Sequence, residues 1–223
     1  MGKNRKEIAN TIYCTDSPTY SSVEGRPIEV LIFGAGPNTI LLMAGVHGDE
    51  KSGVRLVRQI IRKIKKRDPC SLTNRIVVMP LVNPDGYKVG TRRNARGIDI
   101  NRNFPTSDFS GGEGAPGGTK PASEPETKAI IDVVSRFKPS LIITLHSSLN
   151  CINYNGDSAI EIANQMSEIC GLEVKGDIGY PCPGSMGTYY GWERELPVIT
   201  LELPPDGSDL KPIEQAILNV LEL

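Results

Sequence analysis

The hydrophobic positions of this chain fall into blocks whose period switches between that of a strand and that of a helix. Thr39-Ile40-Leu41-Leu42-Met43-Ala44 runs on to Val46 with almost no polar interruption, which predicts a strand over 39–46 covered on both faces. Val54, Leu56, Val57, Ile60, Ile61 and Ile64 then recur at intervals of three and four, which predicts an amphipathic helix over 52–66. Arg75 to Val82 is again a nearly continuous apolar run, stopped by the turn formers Asn83-Pro84-Asp85-Gly86. The same reasoning predicts strands over 28–33, 140–145 and 197–203, and helices over 124–137, 158–170 and 210–221. Ser123 is the expected cap of the 124–137 helix, Pro139 ends it, and Pro204-Pro205 stops the last strand.

Strands alternate with helices, which argues for an α/β fold in one sheet covered on both faces. A single domain over 1–223 is expected, with the first 25 residues as an irregular lead-in. Residues 87–122 break the rhythm: they are rich in polar residues, glycine and proline and show little periodicity. So long a stretch inside a compact domain is expected to carry function. In open sheets of this class ligands bind beyond the carboxyl ends of the strands. His47, Asn83, His146 and Glu202 each stand at or near such an end.

Composition narrows the functional classes. Lys+Arg number 25 against 26 Asp+Glu, a formal charge of -1, so neither a nucleic-acid coat nor a strongly membrane-bound surface is implied. The run Arg62-Lys63-Ile64-Lys65-Lys66-Arg67 reads as the solvated end of a helix. No stretch of ~18 apolar residues predicts a membrane span. Nothing after Met1-Gly2-Lys3-Asn4 resembles a signal peptide, and the expected location is cytoplasmic. The cysteines, Cys14, Cys70, Cys151, Cys170 and Cys182, contain no close C-x-x-C pair and suggest a reduced protein; a Cys151–Cys182 bridge is the alternative.

The chain has two histidines, both at the ends of apolar strands. His47 opens His47-Gly48-Asp49-Glu50, and a tight turn, eased by Gly48, would let His47 and Glu50 face one point. With His146 from a neighbouring strand these make a two-imidazole, one-carboxylate set, which suits one catalytic zinc ion per chain with an open fourth position. Asp49 is a candidate outer partner for an imidazole, or faces water. Glu202 sits in an apolar setting that makes a carboxylate costly unless it is paired; beside a metal-bound water it would act as a general base and then an acid, the bland alternative being a structural salt bridge. Thr91 to Pro105 holds Arg92, Arg93, Arg96 and Arg102, whose forked guanidiniums suit a carboxylate clamp. One of them would stabilise a developing oxyanion.

These segments taken in order, His47-x-x-Glu50, Asn83-Pro84-Asp85-Gly86, Gly97-Ile98-Asp99-Ile100-Asn101-Arg102-Asn103-Phe104, His146 and Glu202, resemble the zinc carboxypeptidases of the carboxypeptidase A superfamily over residues 28–205. The His47-Gly48-Asp49-Glu50 form and Gly179-Tyr180-Pro181-Cys182-Pro183-Gly184-Ser185 resemble the bacterial murein peptide amidase branch, the γ-D-glutamyl-meso-diaminopimelate amidases. The resemblance implies an α/β/α sandwich with a mostly parallel mixed sheet and a zinc-dependent peptidase. His47, Glu50 and His146 would bind zinc and Glu202 would be the base. Arg92 or its neighbour Arg93 would polarise the scissile carbonyl. Asn101 and Arg102 would hold the free carboxylate, and Tyr180 would close over the substrate. Ser185, Met186, Gly187 and Thr188 would line the side-chain pocket, with Tyr189 and Tyr190 in its wall or in the core. The implied partner is a small murein-derived peptide. One departure is Asp49, where digestive members carry arginine. A general carboxypeptidase for L-peptides is the alternative. An acyl-amino-acid deacylase of the desuccinylase or aspartoacylase type would share the zinc motif, but the complete Asn101-Arg102-Asn103-Phe104 segment argues against it.

Overall fold

The computed structural model describes residues 19–68 and 71–222. Most of the expected lead-in, together with Cys14 and Cys70, lies outside the described residues. A small antiparallel pair, β1 (Tyr20–Ser21) and β2 (Pro27–Ile28), stands apart from the main sheet. That sheet contains β3 (Leu31–Phe33), β4 (Thr39–Ala44), β5 (Arg75–Met79), β6 (Leu141–Ser147), β7 (Cys151–Asn155), β8 (Glu173–Lys175) and β9 (Val198–Leu203). Its order is β3-β5-β4-β6-β9-β7-β8. The central strands β5, β4, β6 and β9 are parallel, β3 and β7 run antiparallel to their central neighbours, and β8 is parallel to β7. The expected mixed, mostly parallel sheet is therefore present.

Alternation along the strands builds two apolar layers. Ile40 and Leu42 of β4, Ile143 and Leu145 of β6, and Ile199 and Leu201 of β9 face one side. There they meet helices α1 (Lys51–Ile64), α4 (Ile160–Cys170) and α5 (Lys211–Val220). Leu41, Met43, Ile142 and Val198 face the other side, against α3 (Pro125–Phe137) and Phe104. No helix among the described residues is long and apolar enough to cross a membrane.

Several expected elements differ in detail. The strand expected over 28–33 is split, because Ile28 pairs with Tyr20 while Leu31 to Phe33 pair with β5. Asn83-Pro84-Asp85-Gly86 starts a short helix, α2 (Pro84–Val89), rather than a simple turn. Asn83 Oδ1 caps it by accepting from the Gly86 N–H at 2.9 Å, Pro84 sits where a missing N–H costs nothing, and Gly90 (φ 74°) closes it. Ser123 is not the cap of α3: Glu124 holds that position without a side-chain cap bond, and the Ser123 hydroxyl donates to Glu124 Oε1 at 2.8 Å.

The loop over 87–122 is held by two buried asparagines. Asn103 Nδ2 donates to the carbonyls of Gly117 and Lys120 at 2.8 and 3.0 Å, and its Oδ1 accepts from the Glu124 N–H at 3.1 Å. Asn94 Oδ1 accepts from the N–H groups of Arg96 and Ile98, while Nδ2 donates to Glu124 Oε2 at 2.7 Å and Glu126 Oε2 at 3.0 Å. Both glutamates are buried, and burial pushes the Glu126 carboxyl above its ordinary pKa. Asn94→Ala would leave two buried carboxylates without their shared donor. A cost of about 3 kcal/mol is expected, a fall of roughly 6–12 °C in Tm for a chain of this size; a melt within about 1 °C of wild type would contradict it.

Candidate metal centre and active site

The parallel strands deliver the candidate residues to one edge of the sheet. Past the end of β4 the chain turns at Gly45 (φ 66°), and His47, Gly48, Asp49 and Glu50 lead into α1. Gly48 is required by crowding rather than by its own dihedral angle, since a Cβ there would stand 2.1 Å from the carbonyl carbon of Gly86. The His47 and His146 rings and the Glu50 carboxylate are buried, and their ligand-type atoms all lie within 4.8 Å of one another. His47 Nδ1 is 2.9 Å from Glu50 Oε1, and His146 Nδ1 is 3.0 Å from both His47 Nδ1 and Glu50 Oε2.

These side chains fit a zinc ion. Two imidazole nitrogens at 3.0 Å oppose their lone pairs unless a proton or a cation stands between them. Glu50 Oε2 is buried with His146 Nδ1 at 3.0 Å but no well-aligned hydrogen bond, which a cation in the cluster would remedy. His47 Nε2–H donates to Asp99 Oδ1 at 3.0 Å, so Nδ1 keeps its lone pair for the cluster. Asp49 is exposed and faces water; Asp99 is the imidazole's outer partner. Asp99 also accepts from Arg92 Nε–H at 3.0 Å and from the Asn101 N–H at 2.9 Å. The sequence offered one signal for it, an acid set between two isoleucines in the arginine-rich segment.

The cluster's charges depend on one another. Burial alone would lower the pKa of His47, but Asp99 and Glu50 outweigh it and push it up to about 9. Burial raises Glu50, but His146 and His47 outweigh that and bring it down to about 2. Burial also opposes ionisation of Asp99, but His47 and the guanidiniums of Arg92 and Arg102 hold its carboxyl well below the usual range.

The cluster opens into a cleft of about 240 Å³. Glu202 of β9 stands directly across from His146 of β6 in the sheet register, on the same face, and its carboxylate makes no ion pair among the described residues. Among the described residues, then, nothing forms the structural salt bridge. Arg92, Asn101, Arg102 and Tyr180 line the same cleft. Arg92 Nη1 lies 3.6 Å from Glu50 Oε1. Asn101 Oδ1 accepts from the Met186 N–H at 2.9 Å, so the amide's NH2 is the group left for the cleft. Arg102 donates to the Asn101 carbonyl at 2.8 Å and to Cys182 Sγ at 3.3 Å. Leu149, Tyr180 and Trp192, large side chains left exposed, stand around the cleft.

Two expected site residues lie elsewhere. Arg93 turns away, donating to the Gly97 carbonyl at 3.2 Å, whereas Arg92 lines the cleft and approaches Glu50, so Arg92 is the arginine beside the cluster. Met186 is buried in the core against α3, and only its N–H serves the site; Ser185, Gly187 and Thr188 reach the cleft. Tyr189 and Tyr190 pack with Phe104 in an aromatic core group. Cys151 and Cys182 are both free thiols.

Comparison with known proteins agrees with this geometry. The family model described as zinc carboxypeptidase matches residues 18–221. Murein peptide amidase A of Escherichia coli K12 is 35% identical over 183 residues, which cover 76% of this chain and 72% of that protein. The Vibrio campbellii protein of the same name is 31% identical over 184 residues, covering 76% and 71%. The crystal structure of murein-tripeptide amidase MpaA from Escherichia coli O157 superimposes with a TM-score of 0.76 at 29% identity, covering 99% of this chain and 97% of that one.

A pH test of the cluster follows. His47 is raised from 6.5 to about 9, so in metal-free protein its contribution is complete below about pH 6.5 and is lost as pH rises through about 9. Glu50 is lowered from 4.5 to about 2, so its contribution is present above about pH 4.5 and is lost as pH falls through about 2. Metal-free protein should therefore lose Tm between about pH 6 and pH 9, while the gain on adding zinc grows, because the metal displaces the Nδ1 proton. Melts with and without zinc at both pH values check this; a zinc gain that is larger at the lower pH would contradict it.

Proposed function

The chain belongs to the zinc carboxypeptidase family and is a metallopeptidase, and on that premise we propose that it hydrolyses the amide bond preceding a C-terminal residue with a free carboxylate, in murein peptides at the γ-D-glutamyl–meso-diaminopimelate bond. The observation that carries this reading is the meeting in one cleft of the His47–Glu50–His146 cluster, Glu202 beside it and the Asn101–Arg102 pair. The murein assignment rests on the similarity to the murein peptide amidases of two bacteria.

Each side chain has a role its position suits. His47, Glu50 and His146 would hold a zinc ion, which when bound would supply Lewis-acid activation of water and of the scissile carbonyl. Glu202 takes the proton of the attacking water and returns it to the leaving amine. Arg92, oriented by Asp99 through Nε, turns its remaining N–H groups toward the oxygen of the scissile carbonyl. Arg102 pairs with the terminal carboxylate and Asn101 donates to it, so cleavage falls one bond inward. Tyr180, exposed at the cleft, covers the bound peptide.

A second reading, a general carboxypeptidase, is supported by the human carboxypeptidase N catalytic chain, 30% identical over 63% of this chain and 39% of that protein. Turnover of a murein tripeptide beside a hippuryl-type L-peptide separates the two. The tripeptide should have the higher kcat/KM; the reverse order would favour the second reading. Glu202→Gln should retain zinc while kcat falls by about 10²–10⁴-fold. Arg102→Met should lower kcat/KM by roughly 100-fold, and activity near wild type in either variant would exclude the assigned roles.

A further inference from the structure

The geometry points to Asp177 as the residue that selects the substrate's terminal side chain, by pairing with an ammonium group carried on that side chain. The inference rests on the function proposed above only for where the substrate lies. Stepping back along β9 from Glu202, the next residue on the same face is Thr200, and β7 places Asn153 directly opposite it. Two residues along a strand span about 7 Å. The cleft floor thus runs about that far past the base, room for a side chain of about four or five carbons.

The floor is polar but uncharged. Asn153 commits Nδ2 to the Lys175 carbonyl at 2.9 Å, which leaves its oxygen for the cleft. Asn155 is held against Gly187, where a Cβ would stand 2.3 Å from Asn155 Oδ1. Thr188 and Thr200 add hydroxyls. Such a floor hydrogen-bonds a polar chain end and gives an aromatic or branched apolar side chain little to bury against.

Among the described residues, Asp177 is the one carboxylate lining this cleft besides Glu50 and Glu202. Its Oδ1 accepts from the Gly179 N–H at 2.8 Å, which orients it. No cation neutralises it among the described residues: Lys175, two positions earlier, pairs with Glu173 at 3.1 Å, and the Arg102 guanidinium bonds to the Asn101 carbonyl and Cys182. Asp177 is exposed and solvated in the free protein, and a cation delivered by the substrate would meet its oriented carboxylate at the wall of the same cleft. The substrate class is a terminal residue whose side chain ends in an ammonium, alone or beside a carboxylate that the hydroxyl and amide donors then receive.

The experiment compares kcat/KM for wild type, Asp177→Asn and Asp177→Lys on peptides differing only in the terminal residue: meso-diaminopimelate, lysine and norleucine. Wild type should favour the two ammonium-bearing residues. Asp177→Asn should lose about tenfold on those two, mainly in KM, and less than about twofold on norleucine. The tenfold loss should shrink in about 0.5 M salt, and Asp177→Lys should lose more. Equal losses on all three peptides, or none, overturn the assignment. If the diaminopimelate peptide is not cut while lysine is still preferred in an Asp177-dependent way, the murein reading fails and this inference stands. If the diaminopimelate peptide is cut and Asp177→Asn leaves the ranking unchanged, this inference fails and the murein reading stands.

Discussion

The Asp99 carboxylate ties the chemistry of the cleft to the loop that builds it. It accepts from His47 Nε2–H, from Arg92 Nε–H and from the Asn101 N–H. The first bond fixes which imidazole nitrogen faces the metal, and the second aims the guanidinium. The third starts the helical turn Ile100–Arg102 that presents Asn101 and Arg102. Three functions thus depend on one buried anion. That anion is affordable only because His47 and two guanidiniums hold it ionised against the effect of burial.

The sheet supplies the other half of the geometry. Parallel strands present their carboxyl ends at the same edge, and registry does the fine positioning: His146 and Glu202 are direct partners across β6 and β9. The loop over 87–122 must then be brought to that edge without a hydrophobic core of its own. Asn94 and Asn103 do this with hydrogen bonds, because a segment so rich in glycine and proline has few apolar side chains to bury. Ile100 and Phe104 are exceptions, both buried in the core layer beneath the loop, with Phe104 against Tyr190.

What the sequence made legible follows from this division. The central strands and long helices have strong periodicity because each buries a face, and they were readable from the apolar positions. The strands β7 and β8 were not. Cys151-Ile152-Asn153-Tyr154-Asn155 puts asparagines on the cleft face where a core strand would put apolar residues, and Glu173 to Lys175 is a short edge strand. That same polarity makes β7 the floor of the cleft. The metal cluster and Glu202 were legible because the chain has only two histidines, both closing apolar runs, and because the ordered motifs from His47-x-x-Glu50 to Glu202 resemble one family. The contacts of Asp99 and the place of Asp177 in the cleft wall were not, since both depend on loop paths that leave no period. The choice between Arg92 and Arg93 stayed open, and Met186 was expected in the pocket, for a related reason: adjacent residues in an irregular loop point in different directions, and no pattern in one dimension distinguishes them.

Formal charge gives a reason why the cleft has this particular set of acids. With zinc bound and its imidazoles neutral, the dication is met by Glu50 and Asp99, and Arg92 leaves the centre with one positive charge. Glu202 offsets that charge. Arg102 adds another, which a substrate's terminal carboxylate cancels. At that point the centre and the clamp are balanced, and Asp177 remains as a net negative charge in the cleft. Asp177 is exposed, so water solvates this charge in the free protein, and the cost of leaving it unpaired arises only when a bound substrate covers it. Binding a substrate with a side-chain ammonium completes the balance, whereas binding an apolar side chain removes water from Asp177 and gives nothing in return. On the proposed reading, discrimination between substrates would come from desolvating one wall carboxylate rather than from the zinc chemistry that all substrates share.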